Sequence, residues 1–373
     1  MKTSMTQSST LCVLLFLLAT GPALFSQEVP QTFNPNEIQI LMNPDIDIVY
    51  HTLAHFSLPS DPSNLYSPDY ISQIRKGKQD LEVGQTKLDL MCSQLAESYR
   101  QLARLRFLNL APFMADDYAS FKEALLMIDY KVEKETPEDT RESLEERQAQ
   151  SKARPLLFGN AKRLIPLFQK RFPDPQEREF VKQFAECMED EQSKFYKMYR
   201  EARTEIDQQN FEKFIQFWKS EGARILSPWA AKSGVNVFNI YLSPVMKNNG
   251  RGVPVNQDQR ILFNVVAPLP ETRDQTAHTL FVILHETTHR LTDNLVGASE
   301  ADSNTARENA AFYGDHLYLK AHYPQYHSDY LRFFLNFAGN RQFDMSSLEN
   351  QFLKSYPLSP RLKTSVAELV KRL

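Results

Sequence analysis

Cysteine and glycine are both scarce in this chain, with three cysteines and 11 glycines among 373 residues. With so little glycine, generous aromatic content and no low-complexity tract, a disordered or repetitive chain is excluded and most of the sequence is expected to fold. Cys12 stands at the start of the apolar run Leu11–Ala19 and not at its close, which is the wrong place for a lipid-modified cysteine. The other two, Cys92 and Cys187, lie in helical patterns among apolar neighbours. One disulfide and two buried thiols are both open readings for them, and neither pattern is that of a metal site. No segment reaches the roughly 20 apolar residues that a membrane span requires. No charge of one sign dominates either, since 43 basic residues face 46 acidic ones, and the balance gives no reason to expect a nucleic acid partner.

What is present begins with a targeting signal. Lys2, the short apolar run and the small residues up to Ser26 read as a secretory signal peptide over residues 1–26, so the mature protein is expected to be exported, either periplasmic or secreted. Ala23 is the competing cleavage point. About 347 residues remain, enough for a large core. Residues 27–225 are expected to hold an N-terminal strand segment and a helical region, and residues 226–373 a second domain. Ile38–Met42 and Ile46–Tyr50 are strand-like runs. From about 67 to 222 the pattern is helical, with its longest helix from about Gln176 to Ser220. That helix carries Phe180, Phe184, Cys187, Phe195, Met198, Ile206, Phe214 and Phe217 as its apolar stripe. The charged segment 131–153 reads as an exposed helical hairpin. After Pro228 come two strand candidates, Val235–Leu242 and Arg260–Ala267, with Lys247–Gly252 as a loop between them.

The chemistry concentrates in the next helix. Thr272 or Asp274 caps it, and it is expected to run to about Leu295, before Gly297. Within it His285 and His289 are four residues apart and share a face, so that two imidazoles can converge on one ion. Glu286 points about 100° round the helix from His285, out of competition for the ion but within reach of a water beside it. Opposite lie Ala277, Leu280, Phe281, Leu284 and Leu291, the face that buries the helix. Two histidines and one carboxylate on a zinc ion leave a position open for water, which hydrolysis requires. Glu308 heads a further helical stretch 19 residues after His289, and Glu300 and Asp302 lie nearby.

The pattern H-E-x-x-H followed by 18 residues and a glutamate resembles that of the gluzincin metallopeptidases, over roughly residues 235–320. The resemblance implies that His285, His289 and Glu308 bind Zn2+ and that Glu286 is the general base. It also implies an α+β, predominantly helical fold, in which a zincin-like catalytic domain sets a small antiparallel or mixed sheet beside the active-site helix. In that family an antiparallel strand with a free edge, able to pair with extended substrate, precedes the histidine helix, and residues 260–267 occupy that place. Neither the G-x-M-E-N sequence of the aminopeptidase branch nor the N-A-x-W sequence of thermolysin relatives is present, so the subfamily and cleavage mode stay open. The aspartate often found four residues after the distal glutamate is replaced by Phe312, which leaves Asp315, Asp302 or Glu300 to orient a histidine.

The expected function is therefore an exported zinc metallopeptidase acting on a peptide or protein substrate. The alternatives are a zinc hydrolase of a non-peptide amide or cell-wall substrate, or a non-catalytic, zinc-stabilised envelope or binding protein. The chemistry also calls for a donor to the developing oxyanion, and a tyrosine within 313–330 is the candidate. His278 reads as a polar residue near the helix start. His51 and His55 repeat the four-residue spacing without an intervening glutamate and read as a structural pair on a helix face.

Overall fold

Pro44 follows an asparagine whose side chain accepts from the N–H groups of Asp45 and Ile46, and this capped proline opens a helix, Pro44–Ala54. The strand expected at 46–50 is thus helical. Its run of apolar residues is the mark of a segment buried on most sides, and Ile46 to Ala54 are all buried. In the computed structural model the described residues are 38–56, 66, 68–115, 117–130, 161–247, 249–257, 260–297, 303–337 and 344–373. The expected signal peptide and the charged segment 131–153 lie outside them, as do Glu300 and Asp302. Among the described residues the chain is predominantly helical with one small mixed sheet, an α+β arrangement. No helix among them is long and apolar enough to cross a membrane.

The chain divides into two compact units. One comprises residues 43–57 and 69–203, and the other 1–42, 58–68 and 204–373. The division falls inside a helix, at 203/204, and the N-terminal strand belongs with the C-terminal residues. The boundary expected from sequence was 225/226, with that strand assigned to the first part.

The unit built on 43–57 and 69–203 is helical. Its helices include Pro68–Asp80, Lys87–Gln101, Tyr118–Leu126, Ala161–Arg171 and Pro175–Glu191, and Phe56, Phe121, Phe168, Phe172 and Phe184 are fully buried in it. Two capping boxes, Thr86 with Asp89 and Asp174 with Glu177, fix the starts of two of these helices. Cys187 is buried and Cys92 half-buried, and both are free thiols. The Cys92 thiol donates to the His55 carbonyl at 3.2 Å.

Helix Pro175–Glu191 continues through a π turn at Gln192–Tyr196, helix Lys197–Phe217, a second π turn at Trp218–Gly222 and helix Ala223–Lys232. A π turn inserts a residue and shifts the helix face. The expected apolar stripe accordingly lapses after the first insertion and resumes later: Phe180, Phe184, Cys187 and Phe195 are buried, Met198 and Ile206 are 41% and 54% exposed, and Phe214 is buried again with Phe217 half-buried.

In the other unit four strands form the sheet: β1 (Ile38–Leu41), β2 (Val237–Ser243), β3 (Arg251–Gln257) and β4 (Arg260–Pro268), in the order β1-β2-β4-β3. The β1–β2 and β2–β4 pairs are parallel and β3–β4 antiparallel. β4 is buried from Phe263 to Pro268, as a central strand covered on both faces should be, and it is not the free edge expected of residues 260–267. That edge belongs to β3, whose first two residues, Arg251 and Gly252, fall in the stretch expected as a loop. Asn239 and Asn264, paired in register between β2 and β4, bury their amides by hydrogen bonding to each other at 2.9 Å. Trp229, Phe238, Phe263, Leu280, Phe281, Leu284, Phe312, Tyr330, Phe334 and Phe352 belong to the core between sheet and helices.

Candidate metal centre

The histidine helix runs from Arg273 to Thr292, with Thr272 as its N-cap in a capping box with Gln275, and ends in a short 3-10 turn at Asp293–Leu295. Its 280–289 stretch is buried throughout, which holds the histidines in a packed wall. The following helix, Ser303–His322, carries Glu308, and its small buried residues Ala310 and Ala311 follow directly. Together these helices bring His285, His289 and Glu308 into one cluster whose potential ligand atoms lie within 4.8 Å of one another.

The distances within the cluster are specific. The two Nε2 atoms are 3.3 Å apart, and Glu308 Oε2 is 3.3 Å from His285 Nε2 and 3.5 Å from His289 Nε2. A tetrahedral zinc with bonds of roughly 2.0–2.1 Å would separate its ligand atoms by about 3.3–3.4 Å, so the three donors already mark out one face of that tetrahedron. The donor set, two imidazoles and a carboxylate, suits zinc chemically as well.

Each histidine is held from behind. His285 Nδ1 donates to Asp315 Oδ2 at 3.1 Å, and His289 Nδ1 donates to Asp293 Oδ1 at 2.9 Å. Both bonds leave Nε2 as the nitrogen facing Glu308, the arrangement in which a carboxylate fixes tautomer and ring orientation. Of the three residues considered for this work, Asp315 does it, two turns beyond Glu308 on the same helix face. Asp315 also accepts from the hydroxyls of Thr288 and, at 2.9 Å, Tyr330. Asp293 was missed, although its place four residues after His289 was the available signal. Phe312 stacks on the His285 ring, with centroids 4.2 Å apart and planes at 21°.

Burial works against charge on all three converging groups, and their partners overcome it. Hydrogen bonds from His285 to the Asp315 and Glu308 carboxylates raise it to about 8 despite its desolvation. Glu308 and Asp293 hold His289 well above the usual imidazole range, and the two histidines hold Glu308 well below the usual carboxylate range.

Glu286 faces another neighbour. Its Oε2 accepts the backbone N–H of Gly252 at 2.7 Å, so at this residue β3 turns its N–H to the histidine helix and not to β4. By alternation the N position of residue 254 also faces away from the ladder, and that residue is proline, which costs the sheet no hydrogen bond there. The close approach needs glycine. A Cβ at Gly252 would stand 2.6 Å from Phe263 Cζ and 3.2 Å from Glu286 Oε2, and one at Gly250 would stand 2.5 Å from Val282 Cγ1.

Other residues singled out in the sequence have packing duties. Tyr318, Tyr323 and Tyr330 give their hydroxyls to Ile225 O, Arg224 O and Asp315, so none of these three serves as the expected oxyanion donor. His278 stacks on Phe333 at 4.5 Å. His316 pairs with His327 at 2.8 Å.

Comparison with known proteins adds nothing to this picture: no family profile, no curated protein and no solved structure matches the chain.

Proposed function

We propose that this chain is a zinc-dependent hydrolase of peptide bonds, with His285, His289 and Glu308 as ligands and Glu286 as general base. The observation that carries the reading is the convergence of two Nε2 atoms and one carboxylate oxygen at tetrahedral spacing, with a glutamate adjacent to the first histidine. When bound, zinc supplies a Lewis acid and lowers the pKa of a water toward neutrality. Glu286 takes a proton from the attacking water as the C–O bond forms, and passes it to the leaving nitrogen as the C–N bond breaks. Gly252 N–H fixes one oxygen of Glu286 and leaves the other for that proton. The outer edge of β3 supports a peptide substrate, because the carbonyls of Gly252 and Pro254, which face away from β4, can accept from an extended chain laid beside them. In fold terms, the sheet and the two ligand-bearing helices form a zincin-like catalytic half. The apolar run at 11–19 supports export of the activity.

Purified, zinc-loaded protein assayed against a library of peptides and non-peptide amides tests the substrate class. Glu286→Gln is expected to keep its zinc and lower kcat by about 10³–10⁴-fold. Undiminished turnover in that variant overturns the assignment, and turnover of non-peptide amides alone replaces the peptidase reading.

A further inference from the structure

His51 and His55 are not a surface pair. In the helical unit they meet Glu191, and the three present potential ligand atoms that all lie within 4.8 Å of one another, as those of 285, 289 and 308 also do. The ring centroids of His51 and His55 are 4.8 Å apart, against 4.7 Å for His285 and His289. His51 Nε2 is 3.1 Å from Glu191 Oε1, near the separation of about 3.3 Å that two ligands of one tetrahedral zinc would show. His51 and Glu191 are fully buried.

The tautomer of His55 follows from its partner. Its Nδ1 lies 2.9 Å from the backbone oxygen of His51, and since a carbonyl can only accept, the proton is on Nδ1 and Nε2 carries a lone pair. His51 is held from behind too, with Nδ1 at 2.8 Å from the Tyr70 hydroxyl. A backbone carbonyl thus fixes the tautomer of His55, and the Tyr70 hydroxyl positions the His51 ring. A second observation falls at the same place: the π turn Gln192–Tyr196 begins immediately after Glu191, and its Tyr196 ring lies 4.5 Å from the His51 ring. Such insertions recur at functional sites.

Among the described residues, Lys78 is the cation that contacts Glu191. Its Nζ is 2.9 Å and 3.0 Å from the two Glu191 oxygens, 2.7 Å from Asp89 Oδ2 and 3.1 Å from Thr86 Oγ1. Two carboxylates therefore face one ammonium, which leaves negative charge for a further cation between His51 Nε2 and Glu191 Oε1. We propose that His51, His55 and Glu191 bind a second divalent transition-metal ion, zinc by donor type, and that this ion ties helix Pro44–Ala54 to helix Pro175–Glu191. The residue after His51 is Thr52, whose hydroxyl is spent on Ile48 O at 2.9 Å, so no carboxylate follows the first histidine as Glu286 does, and the role proposed for this ion is structural.

Metal counting on the full chain tests this. Protein stripped with a chelator, reloaded with zinc chloride and desalted is expected to hold two zinc ions. His289→Gln is expected to hold one, and adding His55→Gln to it is expected to weaken that ion by at least about a hundredfold in a chelator competition. Zinc at a hundredfold excess over its Kd is expected to raise the melting temperature of the His289→Gln protein by roughly 5–10 °C. X-ray absorption on the same protein, which does not depend on the folding of the His55 variant, is expected to show two imidazoles on zinc, and zero imidazoles overturns the proposal. A single ion that vanishes with His289→Gln also overturns it and leaves the proposed function standing. A single ion that survives His289→Gln and is lost with His55→Gln supports it and removes zinc from the proposed catalytic site.

Discussion

Two helices in this protein carry the pattern His-x-x-x-His, and each pair meets a glutamate from a distant segment, yet the surroundings give the two clusters different chemistry. At 285 and 289 the histidines are backed by carboxylates, Asp315 and Asp293, and the residue after the first histidine is Glu286. At 51 and 55 they are backed by a phenol and a carbonyl, the intervening residue is Thr52, and Lys78 grips the glutamate. Convergence of donors is common to both. What separates the proposed hydrolytic centre from the proposed structural tie is the carboxylate beside the first histidine, together with the edge strand β3 next to it.

The largest expected effect breaks the comparison at that residue. Glu286→Gln is expected to cost about 10³–10⁴-fold in kcat at unchanged zinc content, whereas Thr52→Ala, at the matching position, leaves kcat unchanged. Kinetics on the two variants side by side decide it. A comparable loss from Thr52→Ala would mean that the two clusters are not separable in function.

Next in size is the backing of the histidines. Asp315→Ala removes the partner of His285 Nδ1 and leaves the hydroxyls of Thr288 and Tyr330 without their acceptor. Zinc affinity at this site is expected to fall about 10–100-fold by chelator competition, with the second cluster unaffected. Tyr70→Phe is the counterpart at His51. Because it removes a neutral partner, its effect on the second cluster is expected to be the smaller of the two.

Much of the first cluster was legible because its determinants are local. The capping box at Thr272, the four-residue histidine spacing and the apolar face from Ala277 to Leu291 all lie on one helix. Asp293, one turn beyond His289, obeyed the same rule and could have been read from it. The second cluster was not legible, because Glu191 reaches His51 across 140 positions in sequence and nothing periodic announces that contact. β3 escaped for a different reason. Gly252 and Pro254 look like loop residues until the strand lies at an edge, where proline is tolerated and glycine admits the helix. Met198 and Ile206 misled because an inserted π-turn residue cannot be read from apolar spacing.

A smaller effect tests the edge. Gly252→Ala pushes a methyl toward Phe263 and Glu286, and is expected to lower kcat roughly tenfold while zinc remains bound. If turnover and KM are both unchanged, β3 plays no part in positioning Glu286.

The last difference is counted in protons. Without an ion, His285 is raised to about 8 by Asp315 and Glu308, so at pH 7 it keeps a proton that zinc must expel. His55 is lowered to about 3, by burial first and by His51 second, and is already neutral at pH 7. Zinc titrated into each site, with the other disabled, is therefore expected to release protons at 285 and 289 and none from His55, as calorimetry in two buffers of different ionisation enthalpy would count. The release at His285 should fade as pH rises through about 8. Stability follows the same signs. The raised His285 stabilises the ion-free protein below pH 6.5 and that contribution is lost as pH rises through about 8, while the depressed His55 costs stability progressively as pH falls from 6.5 toward 3. Equal proton counts at the two sites would show that Asp315 and Glu308 do not hold a proton on His285, or that burial does not keep His55 neutral.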